Sequence, residues 1–211
     1  MEKIIVAGIG TDVGKTIVSA ILVNALKSDY WKPIQCGSIE HSDSETIRTL
    51  IPASFPFCHP SSYILKHPLA THAAAKLEGI SIDPNRIVLP STQNTLIIEC
   101  TAGLLNTLNE NCLQLDHFSI WDCKWILVSR HYLGSLNHTL LSLEALKQRN
   151  VRLLGMIFNG EKNPQVEQVI LQQAKAPFIG RLSPETSITP EIINHYATLW
   201  KPQLKKLLNI S

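Results

Sequence analysis

An α/β fold, with a mostly parallel central sheet and helices on both faces, is what three features of the chain predict. The first is alternation. Short apolar runs of strand type at 3–7, 95–99, 125–128 and 153–158 are separated along the whole length by segments of helical period or propensity. Strands that alternate with helices close a parallel sheet, because each crossover needs a helix and lays it on a face. The second is the glycine-rich turn Gly8-Ile9-Gly10-Thr11-Asp12-Val13-Gly14-Lys15-Thr16 between the first strand and the first helix. The third is size: 211 residues, 45% hydrophobic and 17% charged, suffice for one sizeable core, so a single domain over 1–211 is expected.

The turn carries chemistry. Glycines let a backbone curl so that successive N–H groups meet phosphate oxygens, and a helix N-terminus adds partial positive charge. Lys15 then reaches the β- and γ-phosphates and the Thr16 hydroxyl holds Mg²⁺. Gly8 and Gly14 enclose five residues where the common phosphate loop has four, so the strict pattern fails. Position supports the reading, since the turn follows a strand directly and opens a helix at 17–26. The fold class is therefore a three-layer P-loop NTPase-type fold, with Gly10, Thr11, Asp12, Val13, Gly14, Lys15, Thr16 and Ile17 as nucleotide contacts.

Residues 30–38 read as a short strand running into a turn, which Pro33 and Gly37 end. Lys32 then stands at a strand tip, where ligands of open α/β sheets collect, although a solvated surface lysine is the ordinary alternative. Ser42 or Asp43 caps a helix through Leu50, and Asp43 is either that cap or a Mg²⁺ carboxylate. Three prolines make 51–67 a loop with one extended piece. Helical propensity rules 68–77, closed by Glu78-Gly79. The strand at 95–99 ends on Glu99, an acid placed where a metal-supporting carboxylate of a phosphate-loop protein is normally found. A strand at 125–128, an amphipathic helix from Gly134 to about Gln148, a strand at 153–158 ending in Asn159-Gly160 and a helix at 163–174 follow. A short strand at 178–179, the loop Gly180-Arg181-Leu182-Ser183-Pro184 and a helix from near Pro190 complete the order, with the prolines falling between elements.

Composition excludes several functions. A formal net charge of +2 without a Lys/Arg run gives no footprint for nucleic acid or an anionic membrane. No apolar run nears the roughly 20 residues that span a bilayer. Met1-Glu2-Lys3 leads straight into the first strand with no signal-type region, so a cytoplasmic location is expected. The five cysteines, at 36, 58, 100, 112 and 123, include no Cys-x-x-Cys pair, which argues for reduced thiols over zinc or disulfides. No two of the eight histidines lie at i, i+4.

Taken together, the loop Gly8 to Thr16, Lys32-Pro33-Ile34-Gln35-Cys36-Gly37, Ser42-Asp43, Pro68 with His72, Glu99, Gly134-Ser135-Leu136-Asn137-His138, Asn159 and Pro177-Phe178-Ile179-Gly180 resemble the dethiobiotin synthetase family over nearly the whole chain. These are ATP-dependent carboxylases that close the ureido ring in biotin synthesis. The resemblance implies 7,8-diaminononanoate, CO₂ and ATP as substrates. One amine takes up CO₂ as a carbamate, ATP phosphorylates the carbamate, and the second amine displaces phosphate. It implies Lys32, Lys15 and Thr11 as catalytic, and Thr16, Asp43 and Glu99 as Mg²⁺ ligands. Asn159 reads adenine with the loop around Gly180, Leu182, Ser183 and Pro184. Thr11, Lys32 and Cys36 meet the reacting end of the substrate. The family is a homodimer in which the substrate's tail carboxylate lies at a helix start of the other subunit, here Leu133, Gly134, Ser135, Leu136 and Asn137.

The chain departs from many relatives in three places. Cys100-Thr101-Ala102 replaces a glycine-rich run, Cys36 stands where Ser or Thr is usual, and Asp12 is a methylene shorter than Glu. These changes bear on substrate contact more than on nucleotide binding. The competing readings are a partition-type or regulatory ATPase, an amidoligase, a small-molecule kinase and a family member that has lost activity. The first commonly carries an extra lysine early in the loop, which 8–12 lacks; the second needs a glutaminase domain; the third needs an arginine-rich lid, and arginines here are isolated.

Overall fold

The computed structural model describes residues 1–37, 42–51 and 57–210 of the chain. β1 (Lys3–Gly8) leads into α1 (Lys15–Leu26), followed by β2 (Asp29–Trp31), β3 (Ile34–Cys36) and α2 (Asp43–Leu50). Next come β4 (Cys58–His59), β5 (Tyr63–Leu65), α3 (Thr71–Leu77), β6 (Leu96–Glu99), β7 (Thr107–Asn109), β8 (Cys112–Leu113) and α4 (Gln114–Phe118). β9 (Lys124–Arg130), α5 (Ser135–Gln148), β10 (Leu153–Asn159), α6 (Pro164–Ala174), β11 (Phe178–Leu182) and α7 (Pro190–Leu208) complete the chain.

Seven strands form one sheet in the order β11-β10-β9-β1-β6-β2-β4, and every pairing in it is parallel. Side chains alternate across it with period two. Ile4, Val6, Ile126 and Val128 face a core shared with Ile21 and Leu22 of α1 and Trp200 and Leu204 of α7. Ile5, Ala7, Leu127 and Phe158 face a second core shared with Leu143 and Leu146 of α5 and Ile170 of α6. Both faces of the sheet are therefore sealed. That is why its strands read as continuous apolar runs.

Parallelism also decides where function can sit. All seven strands end at one edge, so the loop after Gly8, Lys32 after Trp31, Glu99 at the end of β6 and Asn159 at the end of β10 lie along it. β1 is flanked by β6 and β9, and the chain fills one side of it before the other, which opens a crevice at the tip of β1.

The structure differs from the sequence reading in several elements. The single strand expected at 30–36 is two, β2 in the large sheet and β3 paired with β5 in a small parallel one. Pro33 has no N–H for the ladder, and its carbonyl turns to accept from Ser62 at 2.8 Å and Tyr63 at 3.2 Å. The turn reading at Ser38 lies outside the described residues, as does 52–56 within the loop expected at 51–67; the rest of that loop holds β4 and β5. α3 begins at Thr71, after Pro68. β11 runs on through Leu182, so Gly180 to Leu182 are strand. Pro202 lies inside α7, on its exposed side, while Tyr196, Trp200, Leu204 and Leu208 bury the opposite stripe. The antiparallel pair β7–β8 and the short α4 went unread, being too short to show a period. Among the described residues no helix is long and apolar enough to cross a membrane.

Candidate active site

The loop between β1 and α1 is shaped by two left-handed residues, Asp12 at φ 55° and Gly14 at φ 94°, the latter capping α1. Gly14 has a second reason to be glycine: a Cβ there would lie 2.5 Å from the Asn159 side-chain nitrogen. Its carbonyls are engaged from outside and within. Arg130, at the tip of β9, donates to the Asp12 carbonyl at 3.0 Å, and Asn159 donates to that of Val13 at 2.9 Å. The Lys15 ammonium donates to the Gly10 carbonyl at 2.8 Å and is 6% exposed. Burial pulls the Lys15 pKa down, with Glu99 opposing it.

At the helix start a charged cluster converges. Thr16 Oγ1 lies 2.6 Å from Asp43 Oδ1 and 2.9 Å from Glu99 Oε1. The Lys32 ammonium lies 2.9 Å from the same Glu99 Oε1 and forms an ion pair with Asp43 Oδ2. Tyr30, fully buried, donates its hydroxyl to Glu99 Oε2 at 2.8 Å. Burial opposes charge on Lys32, but Glu99 and then Asp43 outweigh it and hold the ammonium above its ordinary pKa. Asp43 is likewise disfavoured by burial yet held below the usual carboxylate range, by Lys32 first and by Thr16 and Gln35 in addition. Gln35 fixes the entry to α2, its side-chain oxygen accepting from the Asp43 N–H at 3.2 Å, while Ser42 supplies the cap by accepting from Glu45 N–H. Of the two readings of Asp43, cap and site carboxylate, the geometry therefore favours the second.

A hydroxyl has one proton to give. Thr16 stands within hydrogen-bond distance of two carboxylate oxygens and can donate to only one, so the other contact pairs two electron-rich oxygens. A hard cation ligated by all three oxygens removes that conflict, and three oxygen donors leave room for the phosphate and water ligands Mg²⁺ prefers. The residues fit Mg²⁺ held jointly with a nucleotide. They do not form a self-sufficient cage: no group of three or more His, Cys, Asp or Glu suited to a metal exists among the described residues.

The facing wall is the stretch after β6. Gln114, 1% exposed, accepts from Thr101 N–H at 2.9 Å and donates to the Thr101 carbonyl at 3.1 Å, and the Thr101 hydroxyl donates to Ile34 O at 2.7 Å. These bonds hold Ala102 at φ 53°, and a Cβ on Gly103 would stand 3.5 Å from the Gly10 Cα. Side-chain bonds thus fix a left-handed conformation that a glycine would adopt without strain. Burial pushes the Cys100 thiol up to about 12, so it is inert as a nucleophile. Asn106 donates to Thr71 Oγ1 at 2.8 Å, and the Cys36 sulfur lies 3.8 Å from the same oxygen, joining this wall to α3.

Between loop, cluster and wall is a cavity of about 840 Å³. Thr11, Asp12, Gly14, Lys15, Thr16, Ile17, Lys32, Cys36, Asp43 and Glu99 line it, so the predicted catalytic residues, the metal carboxylates and most of the phosphate loop are brought together, while Asn159, Gly180, Leu182, Ser183 and Pro184 do not line it. The sequence assigns no role to Tyr30, Arg130 or Gln114, and Gln35 and Thr101 enter it only within the motifs that carry the resemblance and its departures; for Tyr30 the available signal is a phenol in a buried strand, which needs a partner. Asn159 pairs in register with Leu182, and the Ser183 N–H donates to the Tyr196 hydroxyl at 3.2 Å. Pro184 is exposed beyond them, and the open side of Gly180 is filled by the Trp200 indole, 2.3 Å from where a Cβ would be. Leu133 to Asn137 do not line this cavity. Leu133 is wholly exposed, and Gly134, at φ 96°, starts α5 at the surface.

Comparison with known proteins gives a consistent picture. A family described as an AAA domain matches residues 2–192. The chain is 48% identical over 201 residues to the ATP-dependent dethiobiotin synthetase BioD of Chlamydia pneumoniae, covering 95% of this chain and 90% of that protein. It is 46% identical over 198 residues to the protein of the same name from Cytophaga hutchinsonii, covering 93% and 96%. Among solved structures it is similar to a ParA family ATPase from Chlorobium tepidum (TM-score 0.56, 12% identity, 93% of this chain and 98% of that one). The MinD cell division protein of Aquifex aeolicus is similar as well (TM-score 0.57, 14% identity, 100% and 98%). At such identities the structural likeness is one of fold alone.

Proposed function

The chain belongs to the dethiobiotin synthetase family, and from that premise we propose that its cavity carboxylates and cyclises 7,8-diaminononanoate at the expense of ATP. The whole chain acts as one synthetase domain, an ATP-dependent ligase that forms carbon–nitrogen bonds. The observation that carries the reading is the convergence of Thr16, Asp43, Glu99 and Lys32 on the phosphate loop.

The chemistry asks for positioning and for cancellation of negative charge. CO₂ adds to one amine to give a carbamate, whose oxygen takes the γ-phosphoryl of ATP with release of ADP. The second amine attacks the carbonyl of the mixed anhydride, closing the ring and expelling phosphate. Lys15 leaves the Gly10 carbonyl for the phosphates, and Lys32 faces the carbamate and the transferring phosphoryl. Thr11 and Cys36 flank the carbamate. Thr16, Asp43 and Glu99 hold Mg²⁺, which neutralises phosphate charge and aligns the chain of phosphates when bound. Asn159, with Gly180, Leu182, Ser183 and Pro184, receives the adenine.

The enzyme works as a cytoplasmic homodimer on small molecules, with no role for nucleic acid or membrane. Residues 133–137 serve the partner's cavity, where the α5 start takes the tail carboxylate of the substrate through the N–H groups beyond Ser135, whose own N–H donates to the Tyr132 carbonyl. Exposure of Leu133, Gly134 and Asn137, away from their own chain's cavity, supports that arrangement.

The test is ADP release by the purified protein with Mg-ATP and bicarbonate, with and without the diamine, while dethiobiotin is followed by mass. Stoichiometric ADP and product are expected. Diamine-independent hydrolysis without product would overturn the reading in favour of an ATPase switch.

A further inference from the structure

We propose that Lys32 is the resident cation of the Asp43–Glu99 pair, and that a divalent ion enters the site only by displacing it. The catalytic ammonium is thereby released toward substrate after the metal has arrived. The inference rests on the reading of Thr16, Asp43 and Glu99 as the metal-binding set.

One oxygen carries the argument. Glu99 Oε1 accepts the Lys32 ammonium at 2.9 Å and also faces Thr16 Oγ1 at 2.9 Å. The other carboxylate is divided in the same way, Asp43 Oδ2 paired with Lys32 and Oδ1 with Thr16. Lys32 thus occupies the same two carboxylates that a metal at Thr16 needs. Tyr30 holds Glu99 Oε2, which leaves Oε1 as the oxygen turned toward both Thr16 and Lys32. Glu99 is fully buried and Lys32 is 6% exposed, so neither charge is relieved by water. In such surroundings a monovalent and a divalent cation on one carboxylate oxygen repel strongly. Lys32 must therefore move, and a lysine can: its ammonium ends a flexible four-carbon stem, and the cavity of about 840 Å³ that it lines gives it a destination.

Two consequences follow for the order of events. Without nucleotide, Lys32 offsets one of the two carboxylate charges and Lys15, close enough to interact with both carboxylates, offsets the other, so the site has little affinity for a divalent ion. A triphosphate changes the balance because it offers negative charge both to the metal and to the displaced ammonium. Metal and nucleotide then enter together, and Lys32 meets the transferring phosphoryl only in the loaded site.

The experiment is a Mn²⁺ titration of nucleotide-free protein, read from the electron paramagnetic resonance of free Mn²⁺, on wild type, Lys32→Met, Lys32→Gln and Lys32→Met/Glu99→Gln. The two single variants should bind Mn²⁺ about tenfold more tightly than wild type or better, and the double variant should lose that gain. The melting temperature of Lys32→Met should also rise with Mg²⁺ far more than that of wild type. Single variants that bind no tighter than wild type would overturn the proposal. If they fold only poorly, restoration of the fold by Mg²⁺ supports it and failure of Mg²⁺ to restore the fold overturns it. Glu99→Gln alone, titrated with ADP present, separates the two readings: unchanged Mn²⁺ affinity there would mean that the metal assignment itself is wrong.

Discussion

The two site lysines have different partners, so their removal should have different effects. Lys15 holds one carbonyl of its own loop, at a helix start where burial already disfavours its charge. Lys15→Ala should abolish turnover and ATP binding while leaving the melting temperature near that of wild type. Lys32→Ala leaves Asp43 and Glu99 facing each other in a buried site, and loss of one partner of such a cluster costs about 3 kcal/mol or more. Turnover and stability should fall together, as calorimetry and the coupled ADP assay would show. Tyr30→Phe is the subtler change. It strips the hydroxyl from Glu99 Oε2, which should cost roughly 1–3 kcal/mol and raise the Mg²⁺ concentration needed for half-maximal rate; an unchanged Mg²⁺ titration would deny Tyr30 a part in holding Glu99. At this scale the sequence was readable wherever chemistry demands a residue type at a fixed place: a lysine and hydroxyl after glycines, an acid at a strand tip. It was unreadable for residues that act through partners distant in sequence. Tyr30 and Glu99 are 69 residues apart, and only the pairing of β2 with β6 sets them side by side.

Elements are fastened to the sheet by a few polar clips, and the one at Glu167 gives a pH signature. Glu167, in the first turn of α6, accepts from the Asn163 N–H at 2.8 Å and from His131 Nε2 at 2.9 Å, and pairs with Arg181 of β11. Burial disfavours its charge, but the Asn163 N–H, Arg181 and His131 together hold its pKa below the usual range. The unfolded chain therefore takes up the proton first as the solution is acidified. The stability supplied by the clip is full above the unfolded carboxylate value of about 4.3 and is lost as pH falls through the lower folded value. Urea midpoints of wild type and Glu167→Gln should differ at pH 7, start to converge as pH falls through the unfolded value of about 4.3, and meet only below the lower folded value. A constant gap would show that Glu167 ionisation contributes nothing. Pro202 offers the opposite case: inside α7 it denies one helical hydrogen bond, so Pro202→Ala should raise the melting temperature, with a gain of up to about 3 kcal/mol. Apolar period located most strands and helices of the large sheet, because both its faces are buried. It missed the break between β2 and β3, where Pro33 turns a single apolar run into strands of two sheets, and it missed Pro202, whose cost is met by the buried stripe of α7.

For the whole molecule, the fold leaves Leu133, Gly134 and Asn137 exposed, with Ser135 buried between them, and keeps 133–137 outside the cavity lined by the phosphate loop, Lys32, Asp43 and Glu99. No period or spacing could have assigned that helix start to a second subunit; only the family resemblance suggested it, since a contact between two copies leaves no pattern within one sequence. The arrangement predicts complementation. In a two-fold dimer with shared sites, each cavity combines the phosphate loop of one subunit with the α5 start of the other. Lys15→Ala removes the loop function from its own subunit's cavity. Gly134→Val, which forces a β-branched residue to φ 96°, removes the helix start from the partner's cavity. Each homodimer is dead at both sites. In a mixed dimer both defects fall on the same cavity, and the other receives an intact loop and an intact helix start. Random mixing of equal amounts makes half the dimers mixed, each with one working site of two, so activity should return to about a quarter of wild type. The rate should appear as subunits exchange and depend on prior co-incubation. Two inactive preparations that stay inactive after exchange, shown to be complete by mass, would place the substrate tail within a single chain and remove residues 133–137 from the site.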